Sequence, residues 1–376
     1  MPLSSLETEK RILLYTVVPF VFFLLLSLDI SAGTVLPTGE ISSEDVRNID
    51  DELDETGYVR LKEGGVYYLS HYIPLNSNST IDARGATIVI NKGATRNDPL
   101  NYTTGYNSMS NIKIIGGTWI SFHEEGCTGT TFSFAHCQNI TLKDMDIRST
   151  NAEGHAIELV ACKNVTISNC KIIAQGKGDN NSVEEMVQID LAAPHNAPFL
   201  EEKYQNGLAC QNITVSRCTI VGNRGLSASF AKKDPSFLKK YHRNIVVKNC
   251  SITGNTAEGL ALFNTIDAVV KNNRLISKSK RTNTAYSSGC HITLFAKIPA
   301  FARRKIYIRN NVIKGGWTGF QITSHSKTRY GKMSIKNNKI FAKKGKKRAL
   351  IIFPNPKKKP SVKKVSASGN KLRKWR

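Results

Sequence analysis

After its first 33 residues the sequence lacks any stretch rich in proline, glycine and serine. Such stretches are typical of linkers between domains, so their absence excludes an evident division of the chain. The roughly 340 residues that remain are enough to enclose a large apolar core. We therefore expect a single continuous domain.

The sequence also lacks acidic residues in its last segment, residues 343–376, which contains 14 lysine and arginine residues. These cations have no acidic neighbour in sequence, and they contribute much of the formal net charge of +24. A field of this sign attracts anionic partners, although an ordinary solvated face is the alternative.

The N-terminus has the order of a secretion signal. Lys10 and Arg11 precede an apolar run at residues 12–28, and small residues follow it. The run is longer than a usual signal peptide, and Ile30 is unfavourable at its place before a cleavage site, so an uncleaved membrane anchor fits as well. In both cases we expect residues 1–33 to export the chain to the cell surface or the extracellular space.

In an exported chain the basic segment predicts one of three partners. These are an anionic cell-envelope polymer such as teichoic acid, lipid head groups, or a uronate-containing polysaccharide. Nucleic acid matches the charge but not the compartment, so we do not expect it.

One sequence unit returns along the whole chain. It reads QNITVSRCTIVGN at residues 211–223, and copies begin at Asn111, Asn139, Asn164, Asn244, Asp267, Lys305 and Lys332. Most copies start twenty to forty residues apart, which is typical of a solenoid, and apolar residues alternate with polar ones as in a β-strand. The sequence predicts an all-β, right-handed parallel β-helix over residues 42–342, with residues 343–376 forming a basic tail and the last coil.

Two columns of small residues follow from the repeat. The seventh position of the copies carries Met145, Cys170, Cys218, Cys250, Asn273, Asn311, Asn338 and Asn370, and a second column carries Cys137, Cys162 and Cys210. Stacked asparagines hydrogen-bond along their own ladder, and stacked thiols pack as small apolar groups. Eight cysteines in an exported chain usually indicate disulfides, but these columns favour buried free thiols over bridges or a metal site.

The segment before the repeats has two recognisable parts. Residues 42–55 carry an apolar stripe of Val46, Ile49 and Leu53 behind Ser42, which can form a capping box with Asp45. This pattern predicts a helix that covers the open end of the solenoid. Residues 57–90 contain GGVYYL and IPLNSNSTIDARGATI. A helix followed by this passage resembles the entry of the pectin-lyase-like superfamily, to which pectate lyases and polygalacturonases belong.

The resemblance implies a β-helix that binds polysaccharide along one face. It does not assign a reaction, because the paired-Asp, Asn-Thr-Asp and Arg-Ile-Lys segments of polygalacturonases are absent, as is the acidic cluster of pectate lyases. His155 stands in a Gly-His-Ala segment that resembles the polygalacturonase Gly-His-Gly segment. By alternation it aligns with inward positions, so a buried histidine at the start of the strand is the alternative.

Each coil has a second strand, and insertions flank it on both sides. Aligned on Ile157, Ile189, Ala228, Leu262, Ile292 and Ile322 as inward residues, these strands present two outward columns. The first column is Ala156, Gln188, Ser227, Ala261, His291 and Gln321. The second is Glu158, Asp190, Ser229, Phe263, Thr293 and Thr323. The insertions predict the walls of a cleft along this strand column.

Glu158 and Asp190 are the candidate catalytic pair. As equivalent sites on adjacent coils they would lie about 4.8 Å apart at the backbone, where two negative charges repel. Such a pair suits the general acid and the nucleophile or base of a glycosidase, or a Ca²⁺ site for a uronate in a lyase. The alternative is an ordinary surface ion pair with Lys232 or Lys233.

Other polar residues of this face are candidates for secondary roles. His291 points outward from the same column and His195 follows Asp190 in a loop, so either histidine could act as a general base. Neutral or cationic side chains suited to sugar binding are Gln188, Ser229, Lys232, Lys233 and Gln321.

We therefore expect an exported polysaccharide-active enzyme that acts on an acidic glycan. A glycoside hydrolase would need no cofactor, whereas a uronate lyase or epimerase would use Ca²⁺. The alternative is a non-catalytic surface protein that binds glycan or an anionic envelope polymer, which the basic tail and the absent family motifs favour.

Overall fold

The computed structural model describes residues 33–40, 42–91, 93–121, 130–149, 154–174, 183–231, 236–281, 284–295 and 305–375. The predicted export segment lies outside this range except for Gly33. Among the described residues, no helix is both long enough and apolar enough to cross a membrane.

The chain winds into coils whose strands stack in three parallel sheets, as the repeat predicts. Sheet A consists of β1 (Thr34–Val35), β2 (Tyr58–Leu61), β5 (Thr80–Asp82), β8 (Met109–Ile115), β11 (Cys137–Lys143), β14 (Lys163–Ser168), β17 (Gln211–Ser216), β20 (His242–Lys248), β23 (Thr265–Ile266), β24 (Val269–Lys271), β27 (Lys305–Arg309), β30 (Tyr330–Lys336) and β33 (Val362–Ser368).

Sheet B follows sheet A in each coil, and sheet C follows sheet B. Sheet B consists of β3 (Val66–Leu69), β6 (Thr87–Ile90), β9 (Thr118–Ser121), β12 (Asp146–Ser149), β15 (Lys171–Ala174), β18 (Thr219–Gly222), β21 (Ser251–Gly254), β25 (Arg274–Ser277), β28 (Val312–Gly315), β31 (Lys339–Ala342) and β34 (Lys371–Lys374). Sheet C consists of β4 (Ile73–Leu75), β7 (Thr95–Asn97), β10 (Phe132–Ala135), β13 (Ile157–Val160), β16 (Glu185–Asp190), β19 (Arg224–Ala228), β22 (Leu260–Phe263), β26 (Cys290–Leu294), β29 (Phe320–Ser324) and β32 (Leu350–Ile352).

The repeated N-I-T-V unit forms the strands of sheet A. Its apolar residues point into the solenoid, where Ile213 and Val215 are fully buried and pair with Ile245 and Val247 of the next coil. Burial of each such side chain stabilises the folded state by about 1.5–3 kcal/mol. Because a single coil has no partner for this surface, the fold depends on stacking.

The two predicted columns of small residues are present inside the solenoid. The seven cysteines within the described residues are all buried and free, which confirms the expected thiol columns. Downstream, Asn311 donates from Nδ2 to Oδ1 of Asn338 at 2.9 Å, and Asn338 donates in the same way to Asn370 at 2.9 Å. The asparagine column is therefore a continuous hydrogen-bonded ladder.

A second asparagine ladder lies on the surface, at the first position of the repeats. Asn164, Asn212 and Asn244 adopt positive φ angles of 55–57°. Asn212 donates to Asn164 at 2.9 Å and accepts from Asn244 at 2.9 Å. Asparagine tolerates this left-handed conformation better than other residues with a Cβ atom, which explains why the repeat begins with it.

We expect Asn212→Ala to lower the free energy of unfolding by about 2 kcal/mol. Alanine at this φ costs about 1–2 kcal/mol, and two exposed hydrogen bonds are lost. Asn212→Gly is the matched control, since glycine loses the same hydrogen bonds without the strain and should cost less. Urea denaturation measures both variants. An alanine variant no less stable than the glycine variant would exclude backbone strain as the cause.

Helix α1 (Glu44–Thr56) covers the N-terminal end of the core, as predicted, and buries Val46, Ile49 and Leu53. It begins two residues later than expected. Ser43 is the N-cap residue and makes no side-chain cap, while Asp45 is buried and accepts from the backbone amides of Thr38 and Tyr68, each at 2.8 Å. Asp45 thus ties the helix to the first coil and does not form the expected capping box.

Candidate functional site

A cleft of about 730 Å³ lies along the outer face of sheet C. Strands β13, β16, β19, β22 and β26 supply its floor, and segments inserted between the coils supply its walls. Wall residues include Glu184, His195, Phe199, Tyr286 and Phe295. The position of this cleft agrees with the one predicted from the insertions.

Glu158 and Asp190 do not occupy equivalent positions on adjacent coils. Strands β13 and β16 pair Glu158 with Gln188, and Asp190 with Val160, so the expected alignment is wrong by two residues. Both alignments place apolar side chains inside, and a period of two cannot distinguish them. The rest of the column pairs as expected through Gln188, Ser227, Ala261, His291 and Gln321.

Glu158 lies in the floor of the cleft with only 7% of its surface exposed. Its Oε2 accepts a hydrogen bond of 2.8 Å from the Ser133 hydroxyl. Burial raises the pKa of Glu158, although the charge of His155 and the Ser133 hydrogen bond act in the opposite direction. A carboxyl group in this environment keeps its proton closer to neutral pH, which suits a general acid.

Asp190 is fully buried and already has its hydrogen-bond partners. Its carboxylate accepts from the Leu191 amide at 2.8 Å, from Gln188 Nε2 at 2.7 Å and from the Asn196 side chain. Burial raises the pKa of Asp190, while the Leu191 and Asn196 donors oppose that shift. Asp190 therefore fixes the loop that follows β16. It does not present a free carboxylate beside that of Glu158.

A buried ionic network forms the centre of the floor. The Arg224 guanidinium donates to Glu258 Oε2 at 2.9 Å and to Glu185. His291 donates from Nδ1 to Glu258 Oε1 at 2.9 Å, and Thr293 donates to His291 Nε2 at 2.5 Å. Burial opposes ionisation of Glu258, but the charge of Arg224 and the His291 hydrogen bond lower its pKa to about 2.

This network occupies both nitrogens of His291, which argues against the general-base role expected for that residue. His291 is also only 5% exposed. Its geometry is that of a positioning residue, because it connects Glu258 to the hydroxyls of β26 and β29.

His155 lines the cleft beside Glu158 and does not point into the solenoid, which was one of the two alternatives for this residue. Its Nδ1–H donates to the backbone carbonyl of Glu185 at 2.6 Å, and its Nε2 lies 3.9 Å from Glu184 Oε2. Ligand atoms of His155, Glu184 and Glu185 lie within 4.8 Å of one another and could hold a cation. A nitrogen ligand does not suit Ca²⁺, which binds oxygen, and Arg224 already neutralises Glu185.

An aromatic cluster of Phe230, Phe263, Phe295 and His325 lines the far end of the cleft. Phe230 and Phe295 stack with their centroids 3.5 Å apart, and Phe295 stacks on His325 at 5.0 Å. Phe263 contacts Phe230, Phe295 and His291 edge-on. Apolar ring faces at the end of a polar cleft are typical of sites for ligands with an apolar face.

Comparisons with known proteins agree on the architecture. Residues 203–350 match the family model described as right handed beta helix region. The solved structure of PfbA, a surface adhesin of Streptococcus pneumoniae, has a TM-score of 0.59 at 15% identity and covers 90% of each chain. The chain is a right-handed parallel β-helix, the fold that the repeat predicts.

Two further β-helices with solved structures are similar in fold. A hyperthermoactive exopolygalacturonase from Thermotoga maritima has a TM-score of 0.53 at 12% identity, covering 88% of each chain. The tailspike protein of E. coli bacteriophage HK620, solved with a pentasaccharide, has a TM-score of 0.52 at 11% identity, covering 91% of this chain and 65% of the tailspike chain. No curated protein matches in sequence. At these identities the likeness concerns the fold alone.

The β-helix brings most of the predicted site residues together. Glu158, Asp190, His195, His291, Gln188 and Ser229 all line the cleft. Gln321 is buried against His291, with 3.5 Å between their Nε2 atoms, and does not line it. Lys232 and Lys233 lie outside the described residues.

Sequence reasoning missed Arg224 and Glu258, although the β-helix repeat contains a signal for them. Each immediately precedes a glycine, Gly225 or Gly259, at the N-terminal end of the sheet C strand of its coil. A Cβ atom on either glycine would lie within 3 Å of a neighbouring backbone, so the glycine is required for close coil packing. The polar residue before that glycine lies where the chain enters the strand, and its side chain lines the cleft.

Proposed function

We propose that this β-helix hydrolyses glycosidic bonds of a polysaccharide that lies in the sheet C cleft, with Glu158 as the proton donor. The observation that carries the proposal is the buried Glu158 carboxyl in the cleft floor, held by Ser133, with a raised pKa. Glycosidases use such a group to protonate the leaving oxygen.

A second carboxyl group is needed to complete this chemistry, and Glu184 is our candidate. Its side chain is 44% exposed in the cleft wall beside His155, whereas Asp190 is fully enclosed by donors. A solvated carboxylate near a buried one gives the two environments that separate an acid from a base or nucleophile. Glu184 replaces Asp190 in the role expected from the sequence.

The charge of the cleft favours a neutral glycan over the acidic one expected from composition. Five carboxyl groups line it: Glu158, Glu184, Glu185, Asp190 and Glu258. Among the described lining residues, Arg224 carries the one guanidinium or ammonium group, and Glu185 and Glu258 already neutralise it. A uronate would meet repulsion here, which also weighs against lyase or epimerase chemistry.

The similar folds support a glycan ligand and a location outside the cell. One is a polygalacturonase, another a tailspike solved with a pentasaccharide, and a third a surface adhesin. Together with the apolar N-terminal run, they support an extracellular or cell-surface location for this chain.

The second candidate function is glycan binding without catalysis. The aromatic cluster favours it, because aromatic residues that line a cleft can contact sugars without any acid, and PfbA is an adhesin with this fold. Under this hypothesis Glu158 has only a structural role beside Ser133.

A product assay separates these candidates. The full chain is incubated with neutral and acidic polysaccharides, with and without chelator, and reducing ends and ultraviolet absorbance are followed. We expect new reducing ends from a neutral glycan, no unsaturated product and no effect of chelator. An ultraviolet-absorbing product from an acidic glycan would contradict hydrolysis and indicate a lyase. Binding without any product would support the non-catalytic alternative.

The pH dependence of hydrolysis should report on Glu158. Because the raised pKa keeps the proton on the acid, the rate should fall as pH rises through that pKa. Ser133→Ala removes a hydrogen bond that favours the ionised carboxylate, so the alkaline limb should move to higher pH. The measurement is kcat/KM against pH for both proteins. An unchanged alkaline limb in the variant would exclude Glu158 as the group that titrates.

A further inference from the structure

The charge of this β-helix is divided sharply along its axis. Asp267 is the last acidic residue of the chain, and 30 of the 53 lysine and arginine residues follow it. The first 267 residues carry the other 23 cations and all 29 acidic residues, a formal net charge of −6. The C-terminal coils therefore form a basic end, whereas the carboxyl groups of the cleft all lie in the preceding coils.

At the basic end, side chains on the outer face of sheet A form three parallel rows. Strands β27, β30 and β33 pair in register, so equivalent residues lie about 4.8 Å apart along the axis. The first row is Lys305, Lys332 and Lys364. The second is Tyr307, Ser334 and Ser366, all hydroxyl-bearing. The third continues from earlier coils as Lys248, Lys271, Arg309 and Lys336.

A groove of about 200 Å³ runs along the first two rows and is lined by Lys305, Tyr307, Lys332, Ser334, Lys364 and Ser366, with Ile306 and Met333 at its base. Among the described residues, no lysine or arginine of β27, β30 or β33 forms an ion pair. Adjacent cations at this spacing repel by just under 1 kcal/mol in water before screening. An anionic ligand would relieve that repulsion.

We propose that this groove binds a linear anionic polysaccharide, one whose sugars carry carboxylate or sulfate groups, with its chain along the solenoid axis. Two cationic rows would contact the anionic groups, and the hydroxyl row between them would hydrogen-bond to the sugar. The site lies on a different sheet from the cleft and does not depend on the proposed hydrolysis.

Other anionic partners fit this face less well. The exposed large apolar side chains of the described residues are Leu36, Tyr58, Val66 and Leu100, all near the N-terminus, so the groove has nothing to insert into a membrane. Single-stranded nucleic acid is usually bound by several aromatic rings on which bases stack. The groove contains one aromatic residue, Tyr307, and Arg309 lies 4.7 Å over its ring.

Binding of labelled polygalacturonate to the full chain tests the proposal. We expect salt-sensitive binding that Lys305→Gln/Lys332→Gln/Lys364→Gln weakens at least tenfold, with a shallower salt dependence because three cation contacts are lost. The control variant is Lys346→Gln/Lys347→Gln/Lys359→Gln, which removes the same charge outside the groove and should lose less than threefold. Equal losses of affinity in both variants would show that the polymer is held by diffuse electrostatic attraction, and would overturn the assignment of a specific site to the groove.

Two further comparisons identify the ligand class. Ser334→Ala/Ser366→Ala should weaken polygalacturonate about threefold and polyphosphate less, since the sugar hydroxyls offer this row both donors and acceptors, whereas polyphosphate offers acceptors only. Equal effects on both polymers would contradict recognition of a sugar. Tighter binding to an oligothymidylate, or to vesicles of phosphatidylcholine and phosphatidylserine, than to polygalacturonate would overturn the assignment to a polysaccharide.

Discussion

Glu158→Gln is expected to reduce glycan hydrolysis by about 10²–10⁴-fold, which is the contribution typical of general acid catalysis. Glutamine keeps the shape of the side chain and can still contact Ser133, but it has no proton of suitable acidity to give to the leaving oxygen. Affinity for the glycan should change little, because the substitution acts on the bond-breaking step. Initial rates of reducing-end formation and binding titrations measure the two effects.

The matched control for this variant is Glu201→Gln. Glu201 is an exposed carboxylate that pairs with Lys203 at the surface and does not line the cleft, so the same change of charge should leave the rate unaltered. Glu184→Gln should also reduce the rate strongly if Glu184 is the second carboxyl group. A Glu158→Gln protein that keeps more than a tenth of the activity would exclude Glu158 as the proton donor.

The fold was predictable because its determinants are local and repeated. Each N-I-T-V unit has a two-residue period, a left-handed asparagine such as Asn212 at its start, and a small residue such as Cys218 or Asn311 at its end. These features recur at equivalent positions in coil after coil, so the sequence itself shows which residues stack. The position of the cleft was predictable for a related reason, since the insertions fall only beside the sheet C strand.

The details of the site were less predictable because they depend on register and on burial. Pairing Glu158 with Gln188 in place of Asp190 leaves the same residues facing inward and outward. The pattern of apolar residues therefore cannot distinguish the two registers. The alternation predicts that Asp190 faces outward. It does not predict that the side chain of Asn196, in the loop after β16, donates a hydrogen bond to the Asp190 carboxylate. Arg224 begins β19 and Glu258 lies two residues before β22, so both precede the strand residues that the alternation aligns.

Arg224→Met is expected to lower the free energy of unfolding by about 3–5 kcal/mol, which is the cost of removing one partner from a buried ionic network. Arg224 is 5% exposed and lies between Glu185 and Glu258, which are 7% and 0% exposed. Methionine fills much of the volume but leaves both carboxylates without their cation. The surface variant Arg148→Met is the matched control, because Arg148 pairs with Asp146 in solvent and should contribute less than about 1 kcal/mol.

A second comparison separates lost charge balance from lost packing in the Arg224 variant. Replacing Glu185 and Glu258 by glutamine in the Arg224→Met background removes the unpaired charges and should recover much of the stability.

The wild-type network should also weaken in acid. The pKa of Glu258 is lowered to about 2 in the folded chain, so its contribution is complete above its ordinary value of 4.5 and is lost as pH falls towards 2. Denaturant titrations at pH 7 and pH 3 measure both effects. A loss of stability below 1 kcal/mol in Arg224→Met at pH 7, or no recovery in the triple variant, would contradict a desolvated network.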